Sequence, residues 1–378
     1  MNGDVGIIGL GRTAMSVRPG GAASDLAVAA VADALADAGL SRNEIDGLLV
    51  GSSQGVRPDR VGVALAQQAG FGDLRLLEHV EIKGATTIAM IERARLAIST
   101  GAARAVVCVF ADAPLRAGGG AGSTYAHSGG NSGTRGLERA SGVLGSVPTY
   151  ALLAARWLAT TGGSADDLCH VALAARAWAV HNPEAVQRKP LDADAYYASP
   201  MVSTPLRRLD CARPVNGAAA VVLAAGAGGV RIRGIGRDHP VRRRRAGAES
   251  WFGGGRRALD DALTEAGISR GDLDVLELYD PFTIVTLCLL EEYGFCEPGK
   301  AGPLVSSGAL APGGVLPTNT GGGQLSGFYL QGMTPLVEAL VQLRGQGGER
   351  QVRGARTALV GGIGGRLDHH ACLILEAA

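Results

Sequence analysis

Lysine, aromatic side chains and long apolar segments are all scarce in this chain of 378 residues. Lysine supplies only Lys83, Lys189 and Lys300 among 36 basic residues, and aromatic residues make up 4% of the sequence. The net charge of +1 gives no overall field that would attract nucleic acid or an anionic membrane. No window approaches about eighteen consecutive apolar residues, and no secretory signal pattern begins the chain. We therefore expect a cytoplasmic protein that binds neither nucleic acid nor membrane.

Metal-binding and disulfide patterns are also missing. The six cysteines are scattered without CxxC or zinc-finger spacing, and several lie in apolar segments, which is typical of buried thiols in a reducing compartment. The pair His369 and His370 lacks a third ligand pattern. The glycines between Gly6 and Gly11 follow a strand in the wrong order for a dinucleotide site. We expect no metal and no cofactor.

An internal repeat organises what is present. Residues 34–48 recur 228 positions later as residues 262–276, and eight of the fifteen positions are identical. Each copy predicts an amphipathic helix that ends at a glycine, Gly39 or Gly267, followed by a serine-led turn and a buried strand. Each copy also follows an apolar strand. The chain is therefore expected to contain two similar halves.

Strands and helices alternate further along each half. Helices are predicted at 88–99 and 334–343, each leading into an apolar strand, at 105–110 and 357–360. Nearly continuous apolar strands indicate mixed, largely parallel sheets that are covered on both faces. Residues 113–200 interrupt the first half with a glycine-rich loop and two helical stretches. We expect an α/β fold in which this insertion forms a cap over a site.

Three motifs accompany this organisation: Asn-Gly-Ala-Ala-Ala-Val-Val at 216–222, Glu-Leu-Tyr-Asp-Pro-Phe-Thr at 277–283 and Leu-Pro-Thr-Asn-Thr-Gly-Gly-Gly at 316–323. In combination they resemble the thiolase superfamily, in its branch of sterol-carrier and lipid-transfer thiolase-like proteins. The resemblance implies mixed sheets in a layered α-β-α-β-α arrangement. Its parts are an N-terminal half at 1–112 and 201–228, an insertion at 113–200 and a C-terminal half at 229–378.

The residues that such a thiolase uses for acyl transfer are replaced. Its cysteine nucleophile would lie in the segment 83–87 and its second cysteine in 360–365, and neither segment contains cysteine. Its two catalytic histidines fall on Tyr279 and Tyr329. A phenol exchanges protons but is a poor acyl nucleophile. Cysteine-dependent acyl transfer is therefore not expected.

The tyrosine pair is similar to that of the lipid-transfer-protein-2 type of steroid side-chain aldolase. This resemblance implies retro-aldol cleavage of a β-hydroxyacyl-CoA, in the steroid case to a 17-ketosteroid and propionyl-CoA, with Tyr279 and Tyr329 as the acid/base pair. A free phenol titrates at about 10, so a base role near neutral pH needs a neighbouring charge or a relay. Asp280 and His127 are the candidate relay members. Which tyrosine is the acid stays open.

Backbone N–H groups in two glycine-rich segments are expected to hold the enolate oxygen, because glycine allows close approach. The glycines concerned are Gly321, Gly322, Gly323, Gly362 and Gly364. The basic run Arg242, Arg243 and Arg244 could bind CoA phosphates, although a solvated surface is the more frequent role of such a run.

Two other functions remain open. Lys83 lies beside the lost nucleophile and could form a Schiff base with a ketone. Alternatively, the chain is a non-catalytic acyl-CoA-binding or scaffold subunit of a DUF35-containing complex. The resemblance also implies a homodimer that pairs through the strand at 105–110 and its neighbours. Two small OB-fold, zinc-ribbon proteins of the DUF35 type would complete a heterotetramer.

Overall fold

The computed structural model describes residues 5–53, 62–119, 124–125, 132–226, 228–241, 253–365 and 369–378. The strands in these ranges are β1 (Val5–Arg12), β2 (Gly47–Gly51), β3 (Leu76–Val80), β4 (Ala105–Asp112), β5 (Met201–Ser203), β6 (Leu206–Arg207), β7 (Gly217–Ala225), β8 (Val230–Asp238), β9 (Val275–Leu278), β10 (Thr357–Gly364) and β11 (His369–Glu376). The helices are α1 (Ala23–Ala38), α2 (Gly62–Ala69), α3 (Thr86–Ser99), α4 (Gly133–Ala140), α5 (Ser146–Thr161), α6 (Ala165–Val180), α7 (Ala193–Ala198), α8 (Gly255–Ala266), α9 (Thr283–Glu292), α10 (Ala301–Ser306) and α11 (Met333–Leu343).

Nine strands form one mixed sheet in the order β3-β2-β4-β7-β1-β8-β11-β10-β9. The pairs β2–β3, β2–β4 and β9–β10 are parallel, and the other five neighbouring pairs are antiparallel. The expectation of largely parallel strands is therefore wrong. Continuous apolar strands indicate burial on both faces, which does not by itself fix strand direction.

The sequence repeat is confirmed in local detail. Helix α1 ends at Gly39 with φ 67°, and helix α8 ends at Gly267 with φ 70°. In each copy a serine, Ser41 or Ser269, then caps a short 3₁₀ turn by a reciprocal capping box. The chain next enters β2 in the first half and β9 in the second. The repeated letters therefore encode the same helix, cap, turn and strand twice.

Helices cover the strands in layers, and the layered α/β arrangement is confirmed. Helix α1 packs on β1, β4 and β7, and helix α8 packs on β8 and β11. Helix α3 packs on β2 and β4 of its own half and on β10 and β11 of the other. Helix α11 is buried along its whole length. The two halves also join edge to edge through the short β1–β8 pair.

The position of β4 corrects one expectation about assembly. Strand β4 lies between β2 and β7 and hydrogen-bonds to both, so neither of its edges can pair with a strand of a second copy. Strand β3 instead forms the end of the sheet on that side. Sequence pattern alone marked β4 as a buried strand but gave no information on its place in the sheet order.

In the described residues between β4 and β7, the chain forms helices α4 to α7 and the β5–β6 hairpin. Helix α6 packs on α9, α10 and a π-helical turn at Gly323–Gly327. This contact links the insertion to the glycine-rich segment that precedes Tyr329. Among the described residues, no helix has both the length and the apolar character needed to cross a membrane.

Candidate active site

Tyr279 directly follows strand β9, where the chain leaves the sheet. Its backbone N–H donates to the carbonyl oxygen of Gly361 on β10 at 3.0 Å, which extends the parallel β9–β10 ladder by one residue. The side chain is 6% exposed. Sheet hydrogen bonding therefore fixes the backbone of Tyr279 at the carboxyl end of two parallel strands, an edge at which α/β proteins commonly bind ligands.

Tyr329 reaches the same place from the other side of the glycine-rich segment. It follows the π-helical turn and forms an isolated parallel bridge with Pro214. Its side chain is partly buried, and its hydroxyl lies 3.2 Å from the hydroxyl of Tyr279. The structure thus brings together the two tyrosines that sequence reasoning selected, although fifty positions separate them in the chain.

Burial controls the acidity of both phenols. It raises the pKa of Tyr329 to about 12, and the negative charge of Asp112 adds to this increase, whereas the hydrogen bond with Tyr279 opposes it. Burial is also the main cause that raises the pKa of Tyr279 well above its usual range, and the proximity of Tyr329 is the next largest cause. Both phenols are therefore protonated at neutral pH.

Gly84 gives Tyr279 the space that its ring occupies. A Cβ atom at position 84 would lie 2.5 Å from Cζ and 2.6 Å from Cε2 of Tyr279, and it would also overlap the carbonyl oxygen of Ile363. Gly84 belongs to the segment 83–87 in which the resemblance would place a cysteine nucleophile. A side chain at position 84 and the ring of Tyr279 therefore cannot occupy this space together.

Two further tyrosines from the insertion surround the pair. The ring of Tyr125 meets the ring of Tyr329 edge to face, with centroids 5.8 Å apart. Tyr150 on α5 stacks on Phe282 at 4.4 Å. Sequence reasoning missed both, because neither lies in a motif. The available signal was composition, since the chain contains seven tyrosines and the insertion carries two of the four near this site.

Asp280 does not link the two tyrosines. Its Oδ1 accepts the backbone N–H of Gln324 at 2.7 Å, and the Asn319 side chain and the Leu325 N–H also donate to its carboxyl group. Burial raises the pKa of Asp280 to about 8. Neighbouring residues of an extended segment point to opposite sides, so the side chain after Tyr279 faces the glycine-rich segment 321–327, which we call the glycine turn. Asp280 is therefore not placed as the expected relay; it anchors the glycine turn.

The glycines selected for an oxyanion role have packing reasons to be glycine. A Cβ at Gly321 would lie 2.6 Å from Oε2 of Glu338, and one at Gly323 would overlap the carboxylate of Asp280. The N–H of Gly322 already donates to the carbonyl oxygen of Asn319 at 2.8 Å, so it is not available to a substrate in this structure.

The glycines of strand β10 are explained in the same way. A Cβ at Gly362 would lie 2.9 Å from the carbonyl oxygen of Gly84, and one at Gly364 would overlap the carbonyl oxygen of Ile82. Glycine at these positions lets β10 approach the segment at the start of α3. An oxyanion role for these residues stays a prediction.

Side chains of the insertion hold the glycine turn from outside. Asn182 donates from Nδ2 to the carbonyl oxygen of Gly321 at 2.8 Å, and Gln187 donates from Nε2 to that of Leu325 at 2.8 Å. Arg176 donates from Nε to the hydroxyl of Ser326 at 3.0 Å. Because Tyr329 lies two residues beyond this turn, these hydrogen bonds position it indirectly.

The remaining predicted residues lie away from the tyrosine pair or outside the described part of the chain. Lys83 adopts φ 52°, and its partly exposed amine forms an ion pair with Glu81, which favours the surface over a Schiff-base role. His127 and the run Arg242, Arg243 and Arg244 fall outside the described residues. Within the described ranges, no three histidine, cysteine or acidic side chains are grouped to hold a metal ion.

Comparisons with known proteins find similar sequences and structures over most of the chain. Residues 243–377 match the family described as Thiolase C-terminal domain-like. The chain is 32% identical over 369 residues to the 17-hydroxy-3-oxo-4-pregnene-20-carboxyl-CoA lyase of Mycobacterium tuberculosis, covering 91% of this chain and 92% of that protein. It is 29% identical over 370 residues to the steroid side-chain-cleaving aldolase of Thermomonospora curvata, covering 91% of each.

Solved structures agree with these sequence matches. The Ltp2-ChsH2(DUF35) aldolase superposes with a TM-score of 0.86 at 28% identity, covering 99% of this chain and 98% of that chain. Human mitochondrial 3-ketoacyl-CoA thiolase superposes with a TM-score of 0.70 at 16% identity over the full length of both chains, a likeness of fold alone.

Proposed function

Because this chain belongs to the thiolase superfamily, in its branch of steroid side-chain-cleaving aldolases, we propose that it uses Tyr279 and Tyr329 for a retro-aldol cleavage. The substrate is a β-hydroxyacyl-CoA thioester of the 17-hydroxy-20-carboxyl-CoA steroid type, and the products are a 17-ketosteroid and propionyl-CoA. The observation that carries the proposal is the 3.2 Å contact between the two phenol oxygens. The chain is a thiolase-fold carbon–carbon lyase and not a cysteine-dependent thiolase.

The chemistry needs one proton to leave an oxygen and one to reach a carbon. The β-hydroxyl O–H bond breaks, the electrons form the ketone, the carbon–carbon bond breaks and its electron pair enters the thioester enolate. Protonation at the α-carbon then gives the acyl-CoA product. Protons taken up and released therefore balance, and no oxidant, reductant or free CoA is required.

A neutral relay through the pair fits the acidity of the two phenols. Maintaining Tyr329 as a phenolate at pH 7 would cost about 7 kcal/mol for a pKa of about 12. If one phenol accepts the substrate proton while passing its own to the second, and the second protonates the α-carbon, no phenolate has to accumulate. The 3.2 Å separation of Tyr279 and Tyr329 allows this transfer without an intervening group.

The thioester oxygen needs hydrogen-bond donors as the enolate forms. We retain the backbone N–H groups of Gly321, Gly323, Gly362 and Gly364 for this role and omit Gly322, whose N–H already donates to Asn319. The proposal also retains Arg242, Arg243 and Arg244 as the candidates for CoA phosphates, on charge alone.

The proposed assembly includes a partner chain. A relative of known structure is an aldolase with a DUF35 component, and it superposes over 99% of this chain. We extend this to a DUF35-type OB-fold, zinc-ribbon partner, and to a homodimer of this chain as the core of a heterotetramer. Activity measurements should therefore use the chain purified together with its partner.

The direct test replaces each phenol by a benzene ring of the same shape. Tyr279→Phe and Tyr329→Phe are expected to lower kcat for cleavage on the order of 100-fold or more, because general acid–base groups typically contribute at least that much. Ketone and acyl-CoA would be quantified by mass spectrometry from a β-hydroxyacyl-CoA substrate. Tyr197→Phe is the matched control, since its hydroxyl bonds Asp166 in the insertion and lies outside the pair.

Three outcomes are distinguishable. Loss of cleavage in both variants, with substrate binding retained and the control unaffected, supports the acid/base pair. Unchanged cleavage in both phenylalanine variants would show that the proposed mechanism is wrong. Tight acyl-CoA binding without cleavage in the wild-type complex would instead indicate a non-catalytic scaffold subunit.

A further inference from the structure

A buried carboxyl group extends the tyrosine pair on the side of the N-terminal half. Asp112, the last residue of β4, is 1% exposed, and its Oδ2 accepts the hydroxyl of Tyr125 at 2.9 Å. The ring of Tyr125 meets the ring of Tyr329 at 5.8 Å, and Tyr329 contacts Tyr279 through its hydroxyl. A chain of four side chains therefore connects the end of β4 to the end of β9.

The surroundings of Asp112 stabilise its carboxylate only in part. Tyr125 and Ser53 donate side-chain hydrogen bonds to its carboxyl, the N–H of Ala113 also donates, and the charge of Arg116 acts from further away. Oδ1 is buried and has no hydrogen-bond partner in the described part of the chain. A buried carboxylate with an unused acceptor is costly, and an amide could accept the Tyr125 hydroxyl equally well. A structural role alone therefore does not call for an aspartate.

We propose that Asp112 is a positioning residue for the cleavage reaction, acting on Tyr329 through Tyr125 and through its own negative charge. The hydrogen bond fixes the hydroxyl of Tyr125, and the Tyr125 ring in turn sets the orientation of the Tyr329 ring. The charge favours the protonated form of Tyr329, so that a proton taken from the substrate is drawn into the pair. This inference rests on the proposed function, in which the two phenols transfer protons.

Ionisation of Asp112 should make the cleavage rate depend on pH. Burial raises the pKa of Asp112 to about 6, and the hydrogen bonds from Tyr125 and Ser53 hold it below the value that burial alone would give. Asp112 is therefore ionised at neutral pH and becomes protonated as the pH falls through about 6. The cleavage rate should fall over the same interval. This fall is the acid limb of the pH–rate profile. Removing the Tyr125 hydroxyl removes a stabilising hydrogen bond from the carboxylate and should move the acid limb to higher pH.

The first experiment measures kcat and KM from pH 5 to 8 for the chain with its partner. Asp112→Asn keeps the size and the acceptor but removes the charge; it should lower kcat at least about tenfold, leave KM within about twofold, and abolish the acid limb. Tyr125→Phe should shift the limb upward. Tyr196→Phe is the matched control, because Tyr196 also donates to a buried aspartate, Asp210, at 2.7 Å; its limb should stay at the wild-type pH.

A second measurement does not depend on cleavage. Infrared difference spectra between wild type and Asp112→Asn isolate the carboxyl band of Asp112, whose titration midpoint should lie near pH 6 in wild type and higher in Tyr125→Phe. Melting temperatures verify that each variant is folded. An acid limb that survives in Asp112→Asn, or a midpoint that Tyr125→Phe leaves in place, overturns the inference. If Tyr279→Phe and Tyr329→Phe keep full activity, the proposed function is wrong. The infrared titration then still tests whether the Tyr125 hydroxyl lowers the pKa of Asp112.

Discussion

The tyrosine at position 279 and the glycine at position 84 share one small space. The ring of Tyr279 occupies the volume that a Cβ at Gly84 would need, within the segment expected to carry the nucleophile. The phenol and a nucleophilic side chain at that position therefore cannot coexist without a shift of one of them. The carbonyl oxygen of Ile363 lies 2.2 Å from the same Cβ position, so the backbone and the tyrosine ring both exclude a side chain at position 84.

A methyl group at position 84 tests this coupling. Gly84→Ala is expected to displace both the Tyr279 ring and the Ile363 carbonyl group, which the new Cβ would overlap. It should lower kcat by about tenfold or more, because misplacement by about 1 Å can cost a catalytic site that much. Steady-state kinetics of cleavage provide the measurement. Gly72→Ala serves as the control, since nothing lies within 4 Å of its Cβ position. Wild-type kcat in Gly84→Ala would show that the close approach has no role in the reaction.

Residue identities at the site could be predicted only in part. Tyr279 and Tyr329 were found because they lie in motifs whose family pattern specifies catalytic positions. Tyr125, Tyr150 and Asp112 were not, since their contacts depend on how an insertion without a motif folds over the sheet. Asp280 was selected for its sequence position beside Tyr279, but the alternation of an extended segment turns it toward the glycine turn.

At the level of secondary-structure elements, local signals were reliable and long-range ones were not. The helix, glycine cap, serine-capped turn and strand of each repeat were predicted because each depends on a few neighbouring residues. Strand direction was predicted wrongly, because it depends on which strands become neighbours. The family resemblance implied a dimer contact through β4 and its neighbours, and β4 itself uses both of its edges within the sheet.

The contact between the insertion and the glycine turn leads to a prediction at this scale. Asn182→Ala removes the buried hydrogen bond to the carbonyl oxygen of Gly321 and should cost about 1–3 kcal/mol in unfolding free energy. Because the turn positions Tyr329, kcat should also fall by about tenfold with little change in KM. Denaturant unfolding and steady-state kinetics measure the two effects.

A control separates the loss of stability from the loss of positioning. Thr264→Ala removes an exposed hydrogen bond within α8, from the threonine hydroxyl to the carbonyl oxygen of Asp260, far from the turn in sequence. It should leave kcat unchanged. If Asn182→Ala were destabilised but kept wild-type kcat, the insertion would support the fold without positioning Tyr329.

For the whole molecule, two similar halves and an insertion combine into a single site. The C-terminal half provides Tyr279 and Tyr329, the N-terminal half provides Gly84 and Asp112, and the insertion closes the tyrosine pair with Tyr125. The paired halves could be predicted because the repeat is visible in the sequence. The site could not be predicted in full, because it forms only where the two halves and the insertion meet.

The most direct test of the central claim follows the proton to the α-carbon. In a single turnover in D₂O, the complex of this chain with its partner should convert the β-hydroxyacyl-CoA substrate to ketone and acyl-CoA without added CoA. Mass spectrometry should find one deuterium at the α-carbon of the acyl-CoA product, and Tyr279→Phe and Tyr329→Phe should form little of either product. A product that appears only when free CoA is supplied, or that carries no deuterium at that carbon, would contradict retro-aldol cleavage by the tyrosine pair.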